Sequence, residues 1–373
     1  MINRTIQAQL EARFFKGKAI LLTGARQVGK TTLLKQILAG KPHLFLDGDD
    51  PIVRKLLESP NTEEIRRLVG NHKLVYLDEA QRIPGIGLTL KIITDQLPEI
   101  QLLVSGSSSF DLRNQLEEPL TGRKWEYVLF PISWQEYEAF SGYLTAEQEL
   151  EDRLIYGFYP DVLNNQGQEK EVLTSLANSY LYRDLLAFSN IRKPEVLEKL
   201  VQALALQVGS EVNFNELAQL TGVNKGTVQS YIELLEKGYV IFRIGSYSGN
   251  LRNEIKQSRK VYFYDNGLRN AVLGNFSALD MRPDKGALWE NFLASERLKQ
   301  HHYQQTYAHS FFWRTKQQQE IDWVEERDGK LTAYEFKWKG ARFAGSRTFL
   351  NAYEADCQLI NRENFRDFVI LNN

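Results

Sequence analysis

A glycine-rich segment near the start of the chain has the residue types and spacing that can hold a phosphate chain. The segment Gly24–Thr31 reads Gly-Ala-Arg-Gln-Val-Gly-Lys-Thr and lies between an apolar run and a helical run. Its glycines let the backbone curl so that N–H groups point at phosphates, while Lys30 reaches the β and γ phosphates and Thr31 ligates magnesium. The residues predicted to bind nucleotide are Gly24, Gln27, Val28, Gly29, Lys30, Thr31 and Thr32.

Two acids stand at the end of a later apolar run, Lys73–Glu79. Asp78 is predicted to hold the magnesium ion through water, and Glu79 to orient or deprotonate the attacking water. Paired acids about 50 residues after a phosphate loop are typical of a Walker B segment. The alternative for Glu79 is a helix-capping or solvated acid.

Two more polar positions are candidates for the same site. The apolar run Gln101–Val104 leads into a Ser/Gly cluster, in which Ser105 or Ser107 could contact the γ phosphate or the water. A loop that caps the next helix explains the same residues. Arg123 precedes a further apolar run and is a candidate for the arginine that contacts the γ phosphate, either in its own chain or in a neighbouring subunit. The alternative is that Arg123 is a solvated surface charge.

These residues must be positioned by alternating strands and helices. Apolar runs separated by helical patterns predict a doubly wound, mostly parallel α/β sheet over residues 1–140, followed by a helical lid and linker over 141–194. Their carboxyl ends would bring the loop, the acids and the serines to one edge.

Four segments together resemble the prokaryotic AAA-type ATPases of the archaeal-ATPase kind. They are Gly24–Thr32, Leu77–Pro84, Ser105–Ser108, and Gly122-Arg123 with Phe130–Ser133. The resemblance implies a P-loop ATPase that uses ATP and Mg²⁺, with Ser105 as the sensor residue and Arg123 as an arginine finger. It further implies a homo-oligomer and a C-terminal domain of uncharacterised function.

Residues 195–265 are predicted to form a winged helix. A helix from Asn213, a turn at Gly222 and a second helix would leave Lys225, Gln229 and Ser230 on an outward face. Between Tyr239 and Lys260, after this helix, the chain has five basic residues and one acidic residue, Glu254. The basic residues are Arg243, Arg252, Lys256, Arg259 and Lys260. Such a strip favours contacts with DNA phosphates, whereas winged helices that only pack or dock proteins are the alternative.

Residues 266–373 carry acids on a helix and on neighbouring predicted strands. Asp322 on one strand and Glu335-x-Lys337 on the next resemble the core of the PD-(D/E)xK nuclease fold, in which a restriction-endonuclease-like α/β sheet holds the metal. By that resemblance Asp322 and Glu335, with Glu290, would hold magnesium and Lys337 would act on the attacking water. Cross-strand ion pairs on a solvated face are the alternative.

Composition limits which other kinds of protein and partner are compatible with the sequence. The 373 residues carry 46 basic and 47 acidic side chains, so attraction to nucleic acid must come from local patches. Cys357 is the single cysteine, which excludes internal disulfides. No apolar run reaches the length of a membrane span, and we expect a cytoplasmic protein.

The sequence therefore predicts an Mg-dependent AAA-type ATPase that couples ATP hydrolysis to nucleic-acid binding or remodelling, with DNA as the expected partner. Two other hypotheses remain: an ATP-regulated switch that acts through protein partners, and an ATP-licensed, metal-dependent DNA nuclease.

Overall fold

The computed structural model describes residues 2–106, 120–179, 193–249, 259–315, 317, 319–340 and 347–370. Predictions for Ser107, Arg252, Glu254 and Lys256 lie outside these residues. The chain divides into two compact units, the first comprising Met1–Pro131 with Lys237–Tyr239 and the second comprising Ile132–Glu236 with Val240–Asn373.

The first unit is built on a five-stranded sheet in which every pairing is parallel. Its order is β2-β3-β4-β1-β5. The strands are β1 (Ala19–Gly24), β2 (Leu44–Asp47), β3 (Leu74–Asp78), β4 (Gln101–Ser105) and β5 (Lys124–Leu129). Strands β1, β3 and β4 are buried along their whole length, as expected for a parallel sheet covered by helices on both faces. This confirms the predicted α/β class with a parallel sheet.

Five α-helices accompany this sheet in the described residues. They are α1 (Gln7–Glu11), α2 (Lys30–Leu38), α3 (Pro51–Leu57), α4 (Thr62–Val69) and α5 (Ile86–Gln96). The helix α4 begins with a capping box, because Asn61 accepts from the Glu64 amide and Glu64 accepts from the Asn61 amide. A single apolar cluster, which includes Leu21, Leu77 and Leu90, packs helices against the sheet.

The described residues of the second unit include eleven α-helices. They are α6 (Trp134–Ser141), α7 (Tyr143–Tyr156), α8 (Pro160–Asn164), α9 (Glu169–Leu176), α10 (Pro194–Leu206), α11 (Phe214–Thr221), α12 (Lys225–Lys237, of which Lys237 clusters with the first unit), α13 (Asn266–Leu273), α14 (Lys285–Gln304), α15 (Arg347–Ala352) and α16 (Phe365–Val369). The chain turns between α11 and α12 at Gly222, whose φ of 70° favours glycine. Asn213 caps α11 through the amides of Asn215 and Glu216.

A seven-stranded sheet of order β12-β11-β10-β9-β7-β8-β6 completes the second unit. Its strands are β6 (Glu211–Val212), β7 (Ile241–Ser246), β8 (Arg259–Phe263), β9 (His309–Arg314), β10 (Glu320–Arg327), β11 (Lys330–Phe336) and β12 (Ala355–Ile360). Strand β7 pairs with β8 in antiparallel orientation and with β9 in parallel orientation. The strands that follow α11 and α12 therefore continue into the strands of the C-terminal region within one sheet.

The helices in the described part of the chain lack the combination of length and apolar character that a membrane span needs.

Candidate active site

The phosphate loop joins the carboxyl end of β1 to the start of α2. Gly24 has a φ of 146°, and a Cβ built there would lie 2.1 Å from the carbonyl oxygen of Leu129 on β5. Gly29 has a φ of 94° at the N-cap of α2, and Gln27 also takes a positive φ of 61°. The loop thus contains three residues with positive φ, a backbone conformation that side chains disfavour. Such conformations let successive backbone N–H groups point toward one bound anion.

Lys30 is buried inside this loop. Its Nζ donates to the carbonyl oxygens of Gly24 at 3.0 Å and Ala25 at 2.7 Å. Burial lowers the pKa of Lys30 to about 8, while the nearby Glu79 and Asp78 oppose that shift. Of the other predicted loop residues Val28 is buried, and Thr32 lies exposed in the first turn of α2.

The carboxylate of Asp78 is the centre of a hydrogen-bond network at the end of β3. Thr31 donates its hydroxyl to Asp78 Oδ2 at 2.8 Å, and the buried Ser105 donates to Asp78 Oδ1. The Tyr76 hydroxyl lies 3.1 Å from Ser105 Oγ, and burial raises its pKa above the ordinary range. The Thr31 hydroxyl and the Asp78 carboxylate are therefore adjacent, and both offer the oxygen ligands that an Mg²⁺ ion bound to a nucleotide requires.

Glu79 follows in a left-handed conformation with a φ of 48°. Its carboxylate accepts from the side-chain amide of Gln81, and its backbone N–H lies 3.1 Å from Asp78 Oδ1. A Cβ on Gly48 would lie 2.3 Å from the Glu79 carbonyl oxygen, so the turn depends on a glycine in the neighbouring loop. Strained backbone of this kind is concentrated at functional sites.

Arg4 is a site residue that sequence reasoning missed. The residue is 8% exposed, and its guanidinium donates to the Val28 carbonyl in the phosphate loop at 2.8 Å and to the Phe130 carbonyl at 2.7 Å. It therefore ties the loop to the end of β5. No local motif marks it, because its partners lie 24 and 126 residues away.

Arg123 is not brought to the loop of its own chain. It lies at the amino end of β5, where its carbonyl accepts from the Ala19 amide at 2.9 Å and its Nε donates to Asp95 at 2.5 Å. Ala19 pairs with Lys124 and Gly24 with Leu129, so the length of β1, about 17 Å at ~3.3 Å per residue, separates Arg123 from the loop.

The second unit brings the four candidate nuclease residues close to one another, together with a lysine that was not predicted there. Asp322 Oδ2 accepts from the Phe336 amide at 2.8 Å, and Lys337 lies 3.1 Å from Glu335. Lys260 donates to Glu290 at 2.9 Å. Burial raises the pKa of Asp322 to about 7; Glu290 adds to this shift, and Lys260 opposes it. Within the described residues, no group of three or more His, Cys, Asp or Glu side chains is arranged to hold a metal ion.

The basic strip predicted beyond α12 needs correction. Lys260 is 1% exposed, and Arg243 forms a two-bond ion pair with Glu236 at 2.7 and 2.5 Å. Both cations are already neutralised by the fold, and Lys260 cannot reach a phosphate on a surface. The outward face of α12 is as expected: Lys225, Gln229 and Ser230 are exposed, whereas Val228, Ile232 and Leu235 are buried.

Three family profiles match three successive parts of the chain. Residues 16–138 match the family profile described as AAA domain. Residues 147–279 and 285–372 match two profiles described as domains of unknown function, DUF8612 and DUF4143. The fold is similar to the Walker-type ATPase PABY2304 of Pyrococcus abyssi, with a TM-score of 0.53 and 16% identity over 73% of this chain and 96% of that one.

Residues 16–138 are therefore similar in sequence to AAA domains. The loop, the acid-ended β3 and the parallel sheet agree with that assignment. Among sequence relatives, the uncharacterized protein Rv2008c of Mycobacterium tuberculosis is 28% identical over 342 residues, covering 90% of this chain and 74% of the relative. The uncharacterized protein MJ1544 of Methanocaldococcus jannaschii is 23% identical over 318 residues, covering 79% and 69%.

Proposed function

We propose that the protein is a magnesium-dependent ATPase whose hydrolysis is coupled to nucleic acid. The observation that carries the ATPase part is the 2.8 Å contact between the Thr31 hydroxyl and Asp78, next to a buried Lys30. A bound Mg·ATP would supply the reactive γ-phosphoryl group, whose developing charge the protein must stabilise.

The residues of the chain have distinct roles in this proposal. On nucleotide binding, Lys30 would exchange its two loop carbonyls for phosphate oxygens. The negative phosphates would raise the pKa of Lys30, which burial has lowered, so that the side chain is fully protonated. Thr31 and Asp78 would hold the magnesium ion. Glu79 orients the attacking water and takes its proton, and its pairing with Gln81 fixes its direction until the nucleotide binds. Ser105 acts on Asp78 and is therefore a positioning residue.

We further propose that Arg123 serves the site of a second copy, so that the active form is a homo-oligomer. The strand register supports action in trans, since the length of β1 separates Arg123 from its own loop. Mixing Arg123→Ala with Glu79→Gln, each inactive alone, should restore part of the ATP turnover, because mixed oligomers contain one intact site. Arg82→Ala, at another half-exposed arginine paired with an acid, is the control that should stay active. No recovery in a demonstrated mixed oligomer would exclude action in trans.

The coupling to nucleic acid is proposed through the α11–α12 pair, in a winged-helix arrangement with β7 and β8. The exposed Lys225, Gln229 and Ser230 lie in the amino-terminal half of α12, which supports a recognition helix. The neutralised Arg243 and buried Lys260 reduce the charge available, so we expect modest affinity. A protein-binding switch remains the competing function, since the same face could dock a protein.

Salt dependence separates these two functions. The DNA affinity of the full chain, measured by fluorescence anisotropy, should fall steeply between low and physiological salt, and Lys225→Glu should weaken it. Lys199→Glu, on the exposed side of α10, is the matched control for a charge reversal elsewhere in the same unit. ATP turnover that no single-stranded, duplex or branched DNA changes, together with salt-independent DNA binding, would favour the protein-binding switch.

A further inference from the structure

The resemblance to a nuclease implies a divalent cation among the acids of the second unit, but the cation that the fold provides there is Lys260. Its Nζ lies 2.9 Å from Glu290 Oε1, in contact with Glu320 Oε1, and 3.9 Å from Asp322 Oδ1. The side chain is 1% exposed. These three acids come from helix α14 and strand β10, whereas Lys260 comes from β8.

The oxygens of this cluster are also engaged by other protein donors. Tyr262 donates its hydroxyl to Glu290 Oε1 at 2.7 Å, and the Phe336 amide donates to Asp322 Oδ2 at 2.8 Å. The Glu290 carboxylate packs against Gly209, where a Cβ would lie 3.1 Å from it. Each of Glu290 and Asp322 therefore has its position set by a hydrogen bond from the chain.

A divalent ion does not fit this arrangement. Mg²⁺ requires oxygens at about 2.0–2.1 Å in an octahedron. Here an ammonium stands among the carboxylates at hydrogen-bond distance, and a metal would have to displace it or lie beside a like charge. The buried Lys260 cannot be withdrawn to solvent by a simple rotation, because the ring of Phe312 covers it at 5.5 Å.

We propose that Lys260 takes the place of the divalent cation, so that Lys260, Glu290, Glu320 and Asp322 form a closed ion cluster and not a metal centre. Through these ion pairs the cluster links strand β8, which lies after the α11–α12 pair in the chain, to helix α14 and strand β10. The C-terminal region is then a scaffold that holds the helix–turn–helix segment and does not cut DNA by a metal. This inference does not depend on the ATPase proposal.

The test is Mn²⁺ binding by the full chain, with Asp78→Asn in every variant so that the phosphate loop adds no signal. Electron paramagnetic resonance should detect no saturable Mn²⁺ site in the protein that keeps Lys260, and millimolar Mn²⁺ or EDTA should leave its melting temperature unchanged. Lys260→Met removes the cation and leaves the acids, so it should gain Mn²⁺ affinity by about tenfold or more. A linear and a supercoiled DNA should both stay intact with Mn²⁺.

Saturable binding of one Mn²⁺ per chain with Lys260 present, abolished by Asp322→Asn or Glu335→Gln, would overturn the proposal. Should Lys260→Met not fold, Glu290→Gln decides, because Glu290 is both a partner of Lys260 in the cluster and one of the predicted metal ligands. A closed cluster predicts a drop in melting temperature of about 5–10 °C that is the same in Mn²⁺ and in EDTA. A metal centre predicts that the variant melts at a lower temperature than the reference protein in Mn²⁺ but not in EDTA. In EDTA the reference protein has also lost its metal ion, so the two proteins no longer differ.

Discussion

Ser105→Ala should weaken the use of magnesium and leave nucleotide binding without magnesium unchanged. Ser105 is fully buried, and its hydroxyl donates to Asp78 while lying 3.1 Å from the Tyr76 hydroxyl. It is therefore linked to the site through Asp78. In the alternative prediction Ser105 would act as a sensor on the γ phosphate or the water.

The size of the effect follows from the bond that is lost. A hydrogen bond to a charged acceptor contributes about 1.5–3 kcal/mol, and about 1.4 kcal/mol is a factor of ten. Without Ser105, Asp78 Oδ1 keeps the Glu79 amide at 3.1 Å and Oδ2 keeps Thr31 at 2.8 Å. We expect the magnesium concentration for half-maximal turnover to rise by about 10- to 100-fold.

The assay is steady-state ATP turnover against free Mg²⁺, with ATP binding in EDTA measured by calorimetry. Tyr76→Phe is the matched control, since it removes the hydroxyl on the far side of Ser105 and should shift the Mg²⁺ curve in the same direction but less. The double variant should show less than the sum of the two changes, because both act through one network.

An unchanged Mg²⁺ curve would refute this reasoning. A fall in the maximal rate with the same Mg²⁺ dependence would place Ser105 on the phosphate or the water instead.

Three further perturbations test the loop. ATP affinity should fall by up to about tenfold per pH unit above pH 8, because the ammonium of Lys30, with a pKa of about 8 in the free protein, must be regained on binding; calorimetry between pH 7 and pH 10 checks the sign. Arg4→Ala should lower the melting temperature and raise KM more than it lowers kcat, because it frees a loop carbonyl, and Arg4→Lys should restore only part of the loss. Gly24→Ala should destabilise the protein by about 3 kcal/mol or more in urea unfolding, because the Cβ would meet the Leu129 carbonyl at 2.1 Å, whereas Gly286→Ala, with open space around it, should be neutral.

Local patterns were sufficient for the sheet class and the phosphate loop of the first unit. A strand, a glycine loop and a helix are adjacent in sequence, so the position of Lys30 and Thr31 at one strand end could be predicted from the order of residues. The alternation of apolar and helical runs likewise predicted the parallel α/β sheet, because strands β1, β3 and β4 are buried along their whole length and read as continuous apolar runs.

Contacts between distant residues were not accessible in this way. Arg4 bonds to carbonyls 24 and 126 residues away, and a carbonyl carries no side-chain signal. The register of β5 on β1, which separates Arg123 from its own loop, is a property of the sheet and not of either strand.

Lys260 shows the limit most clearly. The sequence alone predicts that it belongs to a basic surface strip, because its partners Glu290 and Glu320 lie 30 and 60 residues further along the chain. Only the fold shows that those acids surround it. Charge counted along a sequence therefore predicts a surface potential only where the side chains are exposed.

The most direct test of the central claim is ATP turnover by the full chain with Mg²⁺, wild type beside Glu79→Gln, together with the ATP affinity of both. Glu126→Gln, at an exposed acid of the same unit, is the control. The account predicts Mg-dependent turnover that falls by about 100-fold or more in Glu79→Gln with ATP affinity retained, and normal turnover in the control. Equal turnover in wild type and Glu79→Gln would contradict it.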